Sequence, residues 1–180
     1  MVMRDFFKRY IPEFVYGAVD GTVTTFAVVA ASAGAGISSS VILILGIANL
    51  IADGFSMGSS AYLAASAEHE ESVRDSQKRS SPKIIGAVTF LAFVVVGSVP
   101  VLPYLIDVIA NLKAPNAVLF YVSSALTAAT FLAIGFIKGN KVSKQSPWQS
   151  AGITLLLGAI AAGLAYFAGD ILAAWLGIRI

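Results

Sequence analysis

Five long apolar stretches constrain the fold of this 180-residue chain more than any other feature. They cover residues 14–35, 40–67, 84–106, 117–137 and 148–178. Each has at least ~20 residues, the length with which an α-helix crosses ~30 Å of hydrocarbon. The apolar residues run on continuously, whereas the strands of a membrane barrel alternate apolar and polar residues. The sequence therefore predicts an all-α, polytopic membrane protein with five transmembrane helices.

Charge is scarce, and this excludes several classes of protein. Charged residues make up 12% of the chain, about half of the ~25% in an average soluble domain. The net charge of +2 arises from short segments beside the apolar stretches, so we expect membrane lipid and no nucleic acid as a partner. The chain has no Cys, its single His69 lies outside the apolar stretches, and no Ser stands beside a suitable base. We therefore predict that the protein is not an enzyme.

The apolar stretches use up most of the chain and leave no room for a separate soluble domain. We predict a single five-helix domain over 1–180, in which the strongly charged segment 68–83 forms a short cytoplasmic loop. Residues 1–12 lack the uninterrupted apolar core of a signal peptide, and we interpret them as an interfacial segment. The side chains expected to face the acyl chains are Phe6, Phe7, Tyr10 and Ile11.

Lys and Arg residues predict the orientation, because the cytoplasmic loops of membrane proteins carry an excess of both. With the N-terminus inside, the outside segments hold only Lys113 and Arg179. The inside segments hold Arg4, Lys8, Arg9, Arg74, Lys78, Arg79, Lys83, Lys138, Lys141 and Lys144. This asymmetry predicts a cytoplasmic N-terminus and an outside C-terminus. The membrane would be the plasma membrane in a prokaryote and a vacuole-type membrane in a eukaryote.

Of the three acidic residues within the predicted spans, two stand out. Asp20 lies in the first, about two turns from its start, and Asp53 lies deep in the second. An Asp at the bilayer centre costs about 2.5–3.5 kcal/mol on insertion scales, so such residues normally face a bundle interior or a water-filled path. A third, Asp170, stands near the outer end of the fifth span, where we interpret it as an interfacial carboxylate.

The second span carries a stripe of possible metal ligands. Asn49, Asp53 and Met57 follow at four-residue spacing and share one helical face, flanked by Ser56 and Ser60. Carboxylate, amide and thioether groups together suit a borderline divalent cation such as Fe²⁺, Mn²⁺, Zn²⁺ or Co²⁺. The alternative is structural: Met57 fills the core, and Asp53 forms hydrogen bonds to a neighbouring helix.

Two GxxxG motifs accompany these acidic residues. Gly17 and Gly21 form one in the first span, and Gly54 and Gly58 form the other in the second. Such motifs let helix backbones approach closely. We therefore expect the first two spans to pack tightly on each other across a dimer axis, which would bring the carboxylates together.

A charged segment extends the second span. Glu68 and Glu71 stand three residues apart and share one helical face. They form either an ordinary solvated helix end or a mouth that attracts cations.

Several motifs resemble one known family. Residues 16–26 read YGAVDGTVTTF, residues 49–58 read NLIADGFSMG, and residues 100–104 read PVLPY. Together with Lys138-Gly139 and the later Trp148, they resemble, in order, signatures of the vacuolar iron transporter (VIT1/CCC1) family.

The resemblance implies a function and a set of site residues. Members are five-helix homodimers that move Fe²⁺, and often Mn²⁺, out of the cytosol in exchange for protons. The metal is a substrate, so no cofactor is implied, and its path lies at the dimer interface between the first and second helices. The family's pathway ligands correspond to Asp20 and Met57. Asp53 and Asn49 are expected to support them, and Glu13 stands near the inner mouth.

The chain departs from the family pattern in two places. A Glu-rich cytoplasmic domain of larger members is reduced here to 68–83, which indicates a short form lacking the metal-binding domain. Ala61 stands before Tyr62 where members often have Glu. Two other functions therefore remain open. The chain could transport Mn²⁺, Co²⁺ or Zn²⁺ in place of Fe²⁺, or it could be a structural protein that dimerises through GxxxG and transports nothing.

Overall fold

A computed structural model describes the backbone of residues 2–71, 80–143 and 146–177, and the side chains of 9–68, 80–143 and 146–177. The helices in these ranges are α1 (Val2–Gly34), α2 (Ser39–Glu71), α3 (Pro82–Gly97), α4 (Leu102–Ala110), α5 (Asn116–Lys141) and α6 (Pro147–Leu176). A short 3₁₀ turn, Val99–Val101, lies between α3 and α4. The described residues contain no strand, so the all-α prediction is confirmed.

Within the described ranges, five segments are long and apolar enough to cross a membrane. They are Arg9–Gly34, Ser39–Glu68, Pro82–Ala110, Asn116–Lys141 and Pro147–Leu176. The third combines α3, the 3₁₀ turn and α4, whereas each of the others lies within a single helix. These segments coincide with the five predicted spans, so the protein is a multi-pass membrane protein.

Two Trp residues mark the ends of α6. Trp148 is 75% exposed and Trp175 is 81% exposed. At 1.5 Å per residue, about 40 Å of helix separates them. A bilayer with its headgroup regions is ~40–45 Å thick, and Trp favours both interfaces. The two indole rings are therefore spaced to lie in opposite headgroup regions.

Helix α1 forms the centre of the bundle, since it packs against α2, α3, α5 and α6. Small residues allow this close packing. Gly17 and Gly21 contact α3, Gly34 contacts α6, and Ala18 and Ala30 are completely buried. Because backbone contacts hold α1 on several sides, its remaining face toward α2 is held in a fixed position.

An apolar core cluster joins α1, α2, α3, the 3₁₀ turn, α4 and α5. Its members are Phe26, Val29, Ile42, Leu43, Leu50, Phe93, Val101, Tyr104 and Leu119. The turn between α1 and α2 lies beside this cluster, and Ile37 packs against it. Gly36 has a φ of 75°, a conformation that glycine adopts without steric cost. Glycine at this position therefore lets the chain turn from α1 into α2.

The third span is broken by its two prolines. Pro100 and Pro103 have no backbone N–H, so neither can donate the hydrogen bond that an α-helix needs at its position. The Ser123 hydroxyl on α5 donates to the Pro100 carbonyl oxygen at 2.6 Å. The break is therefore held by a polar contact inside the bundle, as expected where backbone groups cannot be satisfied by lipid.

The prediction of an interfacial segment over 1–12 is wrong for the side chains that are described. Helix α1 runs without a break through Pro12. Tyr10 is only 6% exposed, and its hydroxyl oxygen accepts a hydrogen bond from the Ser81 N–H at 3.3 Å. Ile11 packs against a second buried cluster that includes Val15. Tyr10 and Ile11 therefore face other parts of the same chain. Phe6 and Phe7 lie outside the described side chains.

Candidate functional site

The candidate site lies in the groove between α1 and α2. The side-chain amide of Asn49 on α2 donates to the hydroxyls of Thr24 and Thr25 on α1, at 3.5 and 3.3 Å. These contacts set the register of two antiparallel helices. One helical turn from this contact, toward the N-terminus of α1, the register brings Asp20 level with Asp53.

Both carboxylates lie near the middle of their helices. At 1.5 Å per residue, Asp20 is about 16 Å from Arg9 and about 21 Å from Gly34 along the axis. Asp53 is similarly central in Ser39–Glu68. The sequence placed Asp20 only two turns from the start of its span, and this is corrected because α1 begins further upstream.

The two acidic side chains differ in burial. Asp20 is half-buried, whereas Asp53 is exposed on α2. Ser56 and Ser60, which flank Asp53, are both exposed on the same side of the helix. An exposed carboxylate at this depth costs about 2.5–3.5 kcal/mol if lipid surrounds it. The α2 face around Asp53 therefore requires water or another protein surface against it.

Met57 lies on the same face of α2 as Asn49 and Asp53, one turn further along. It is partly buried and packs against the core cluster. The thioether thus sits between the groove and the core. Among the described residues, no three His, Cys, Asp or Glu side chains come together as a metal-binding group. One chain therefore offers two carboxylates, one amide and one thioether along the groove.

Glu13 lies on the same face of α1 as Asp20, two turns closer to its N-terminus. Its side chain is half-buried, and its Oε2 is buried without a hydrogen-bond partner in the described part of the chain. The α1–α2 register places Glu13 near the level of Ser60 and Ala61. The acidic residues of α1 thus follow the groove from mid-depth toward one end.

The other predicted acidic residues lie away from the carboxylate pair. Helix α2 continues to Glu71, as expected, and Glu68 is exposed; the side chain of Glu71 lies outside the described ones. Asp170 is half-buried, and its backbone nitrogen lies beside Gly34 at the far end of α1. Asp170 is therefore not part of the groove.

The GxxxG motifs do not join α1 to α2, and this expectation is wrong. A Cβ atom on Gly21 would lie 2.5 Å from the Phe93 carbonyl oxygen of α3. One on Gly58 would lie 3.0 Å from the Gly86 carbonyl oxygen, also on α3. Because α3 packs along both helices, its backbone occupies both glycine faces. The periodicity identified close-packing faces but not the helix that each one meets.

Three polar residues with clear roles were not singled out from the sequence. Thr24 and Thr25 hold Asn49, and their position one turn after Asp20 was the available signal. Asp107 is 6% exposed, and its Oδ1 accepts a hydrogen bond from the Ala114 N–H at 2.9 Å. Asp107 thereby closes the turn between α4 and α5, a structural role without a motif of its own.

The chain is similar in sequence to one family of known proteins. A sequence model described as the VIT family matches residues 11–81 and 68–170. The vacuolar iron transporter of Toxoplasma gondii (strain ATCC 50861 / VEG) is 46% identical over 61 residues, which are 34% of this chain and 20% of that protein. The vacuolar iron transporter 1 of Arabidopsis thaliana is 37% identical over 75 residues, 42% of this chain and 30% of that protein.

A longer alignment covers most of both proteins. The vacuolar iron transporter of Centaurea cyanus is 26% identical over 215 positions, 87% of this chain and 85% of the relative. That alignment is longer than the 180 residues of this chain, so part of the relative has no counterpart here. By contrast, the chain spans between 20% and 26% of the length of the Toxoplasma gondii and two Plasmodium relatives.

Proposed function

Since this chain belongs to the VIT family, we propose that it transports divalent transition-metal ions across a membrane, with Fe²⁺ as the main substrate. The observation that carries the proposal is the register of α1 and α2, which brings Asp20 level with Asp53 beside Asn49 near the middle of two membrane-spanning helices. Carboxylates at this depth in a membrane are costly, and they normally mark an ion path or pair with another group.

The ligand types indicate the class of ion. Carboxylate and amide oxygens alone would suit Mg²⁺ or Ca²⁺. The thioether of Met57 on the same face favours a softer ion, such as Fe²⁺ or Mn²⁺. The relatives carry the words "vacuolar iron transporter" in their names, which favours Fe²⁺ within this class.

We place the transport path at a homodimer interface. Asp53 is exposed at mid-span, and Ser56 and Ser60 are open on the same side of α2. A second copy of the chain would cover this polar face, and it would double the number of carboxylates around a transported ion. The charge of a divalent ion offsets the desolvation of such paired carboxylates.

A cysteine placed at Ser60 is expected to cross-link two copies in the membrane. The wild-type chain has no Cys, so a single introduced thiol reports only its own contacts. Ser60 is exposed two turns from Asp53 on the same face. A thiol-reactive bifunctional reagent should convert Ser60→Cys into a covalent dimer, as judged on a denaturing gel.

The control for this cross-link is Leu164→Cys on α6, a position that is 68% exposed within an apolar surface. Leu164→Cys should remain a monomer with the same reagent. Equal yields at the two positions, or none at Ser60, would contradict the proposed interface.

The direction of transport follows from the predicted topology. With the N-terminus in the cytosol, Glu68 and Glu71 lie at the cytoplasmic end of α2 and attract cations there. An ion then passes the level of Glu13 and reaches Asp20 and Asp53 at mid-depth. Carboxylates that bind a metal also bind protons, so protons arriving from the outer side compete with the ion and release it. This competition couples proton influx to metal efflux.

The short loop is a second feature of the proposal. The two ranges that match the family model overlap at residues 68–81, and this short segment leaves no room for a further domain between α2 and α3. We propose a single domain over 1–180 that captures metal without a separate cytoplasmic metal-binding domain. Because Ala61 stands where family members often have Glu, the mouth has one acidic group fewer. We propose that Glu13 attracts the ion there instead.

Two rival functions make different predictions. Transport of Mn²⁺, Co²⁺ or Zn²⁺ requires the same ligands and differs only in the preferred ion. A structural protein that dimerises through GxxxG is less well supported, because Gly21 and Gly58 are occupied by α3 of the same chain.

Metal uptake into proteoliposomes tests the proposal. Purified wild-type protein should take up Fe²⁺, kept reduced, faster than protein-free vesicles do. An excess of Mn²⁺ should compete, whereas Mg²⁺, which prefers oxygen ligands and its own waters, should not. Faster uptake of another ion would make that ion the substrate. Failure to take up any of the four transition metals would contradict transport and favour the structural role.

A further inference from the structure

The hydroxyl of Thr24 has only one hydrogen, and a backbone carbonyl of the same helix accepts it. Thr24 Oγ1 donates to the carbonyl oxygen of Asp20, one turn earlier on α1, at 2.9 Å. A hydroxyl has one O–H donor and two acceptor lone pairs. Toward any other group, Thr24 can therefore only accept a hydrogen bond.

This restricts the orientation of the Asn49 side chain. An amide can present either its NH₂ group or its oxygen to a neighbour. Because Thr24 only accepts, it selects the NH₂ group, and the Asn49 Nδ2 lies 3.5 Å from its Oγ1. The same Nδ2 lies 3.3 Å from the Thr25 Oγ1. With its nitrogen held by α1, the amide oxygen turns away from both hydroxyls.

We propose that Thr24 is a positioning residue, which keeps the Asn49 amide oxygen turned to the open side of the α1–α2 groove as a ligand for the transported ion. This inference rests on the proposed function. The Asn49 amide would add a neutral oxygen to the two carboxylates. Thr24 links Asn49 to Asp20, since it contacts both the Asn49 side chain and the Asp20 backbone.

The opposite orientation of the amide would hinder binding. A flipped Asn49 would place its NH₂ group, with its positive partial charges, against the cation. Without the Thr24 hydroxyl, the amide keeps the Thr25 contact, but a hydroxyl that can either donate or accept does not exclude the flipped orientation. Removing a residue that orients a metal ligand typically costs 10–100-fold in metal affinity or activity.

Thr24→Val tests the proposal, because valine has the shape of threonine without the hydroxyl. The KM for uptake of Fe²⁺ alone should rise about 10-fold or more. Thr24→Ser retains the hydroxyl and should restore a KM close to that of the wild type. The thermal unfolding midpoint in detergent should stay near that of the wild type for both variants. Thr24→Ala, which adds no new methyl contact, should show the same KM shift as Thr24→Val.

A double substitution distinguishes positioning from a general structural effect. Asn49→Ala should raise KM by itself, and adding Thr24→Val should raise it no further. Two losses that multiply would show that Thr24 acts independently of Asn49, and this would overturn the inference. An unchanged KM in Thr24→Val, with wild-type protein active, would overturn the inference alone. A wild type that takes up no metal would overturn the proposed function together with it.

Discussion

Replacing Asp20 by asparagine is expected to abolish metal uptake while leaving the protein folded. Asparagine has nearly the same shape, but it removes a negative charge from the mid-depth pair with Asp53. Loss of a residue that only orients a metal ligand typically costs 10–100-fold in affinity or activity. Loss of a direct ligand should cost more, so uptake of Fe²⁺ should fall about 100-fold or more. Initial rates in proteoliposomes, normalised to the amount of reconstituted protein, measure this effect.

Asp170→Asn serves as the matched control. Asp170 also lies within a membrane-spanning helix, but it stands beside Gly34 at the far end of α1. Its uptake rate should stay close to that of the wild type, since Asp170 lies outside the groove and its replacement leaves every proposed ligand in place. Equal losses in the two variants would show that any carboxylate in the bundle matters for stability. Wild-type uptake by Asp20→Asn would remove Asp20 from the path.

Gly21→Ala is expected to destabilise the bundle, because the added methyl group would clash with the backbone of α3. The new Cβ would lie 2.5 Å from the Phe93 carbonyl oxygen and 2.9 Å from the Phe93 Cα. On the other side of this contact, a Cβ on Gly97 would meet the backbone of Gly21 at 2.7 Å. Backbone atoms cannot rotate aside, so α1 and α3 must separate. Overpacking of this kind typically costs about 1–3 kcal/mol.

Gly152→Ala on α6 makes the same chemical change where space is open, with nothing within 4 Å of the new Cβ. It should be neutral or stabilising, since alanine favours a helix over glycine by about 1 kcal/mol. Thermal unfolding in detergent compares the two variants. A lower midpoint for Gly152→Ala than for Gly21→Ala would contradict the close contact of α1 with α3.

The sequence predicts the membrane spans well because hydrophobic length is a local property. Residues 117–137 and 148–178, for example, correspond to α5 and α6 with small differences at the ends. The burial of Tyr10 could not be foreseen in this way. It depends on Ser81, which is far away in the chain, and an apolar segment beside basic residues is equally typical of an interfacial helix.

The candidate site was predictable in its residues but less so in its neighbours. Helical spacing places Asn49, Asp53 and Met57 on one face, and the cost of a charge in lipid singles out Asp20. The same periodicity does not say which helix each face meets. Gly17 and Gly21 therefore looked like a contact with α2 or with a second copy, whereas α3 occupies that face. The role of Thr24 depends on its hydrogen bonds, and these require coordinates.

Simultaneous measurement of metal and proton movement tests the central claim most directly. Wild-type proteoliposomes with an acidic lumen would receive external Fe²⁺, and two dyes would report luminal iron and luminal pH. The account predicts that Fe²⁺ accumulates while the lumen becomes alkaline in proportion, and that both signals weaken when the pH gradient is dissipated. Fe²⁺ uptake at the same rate with and without the gradient, with no change in luminal pH, would contradict proton-coupled transport.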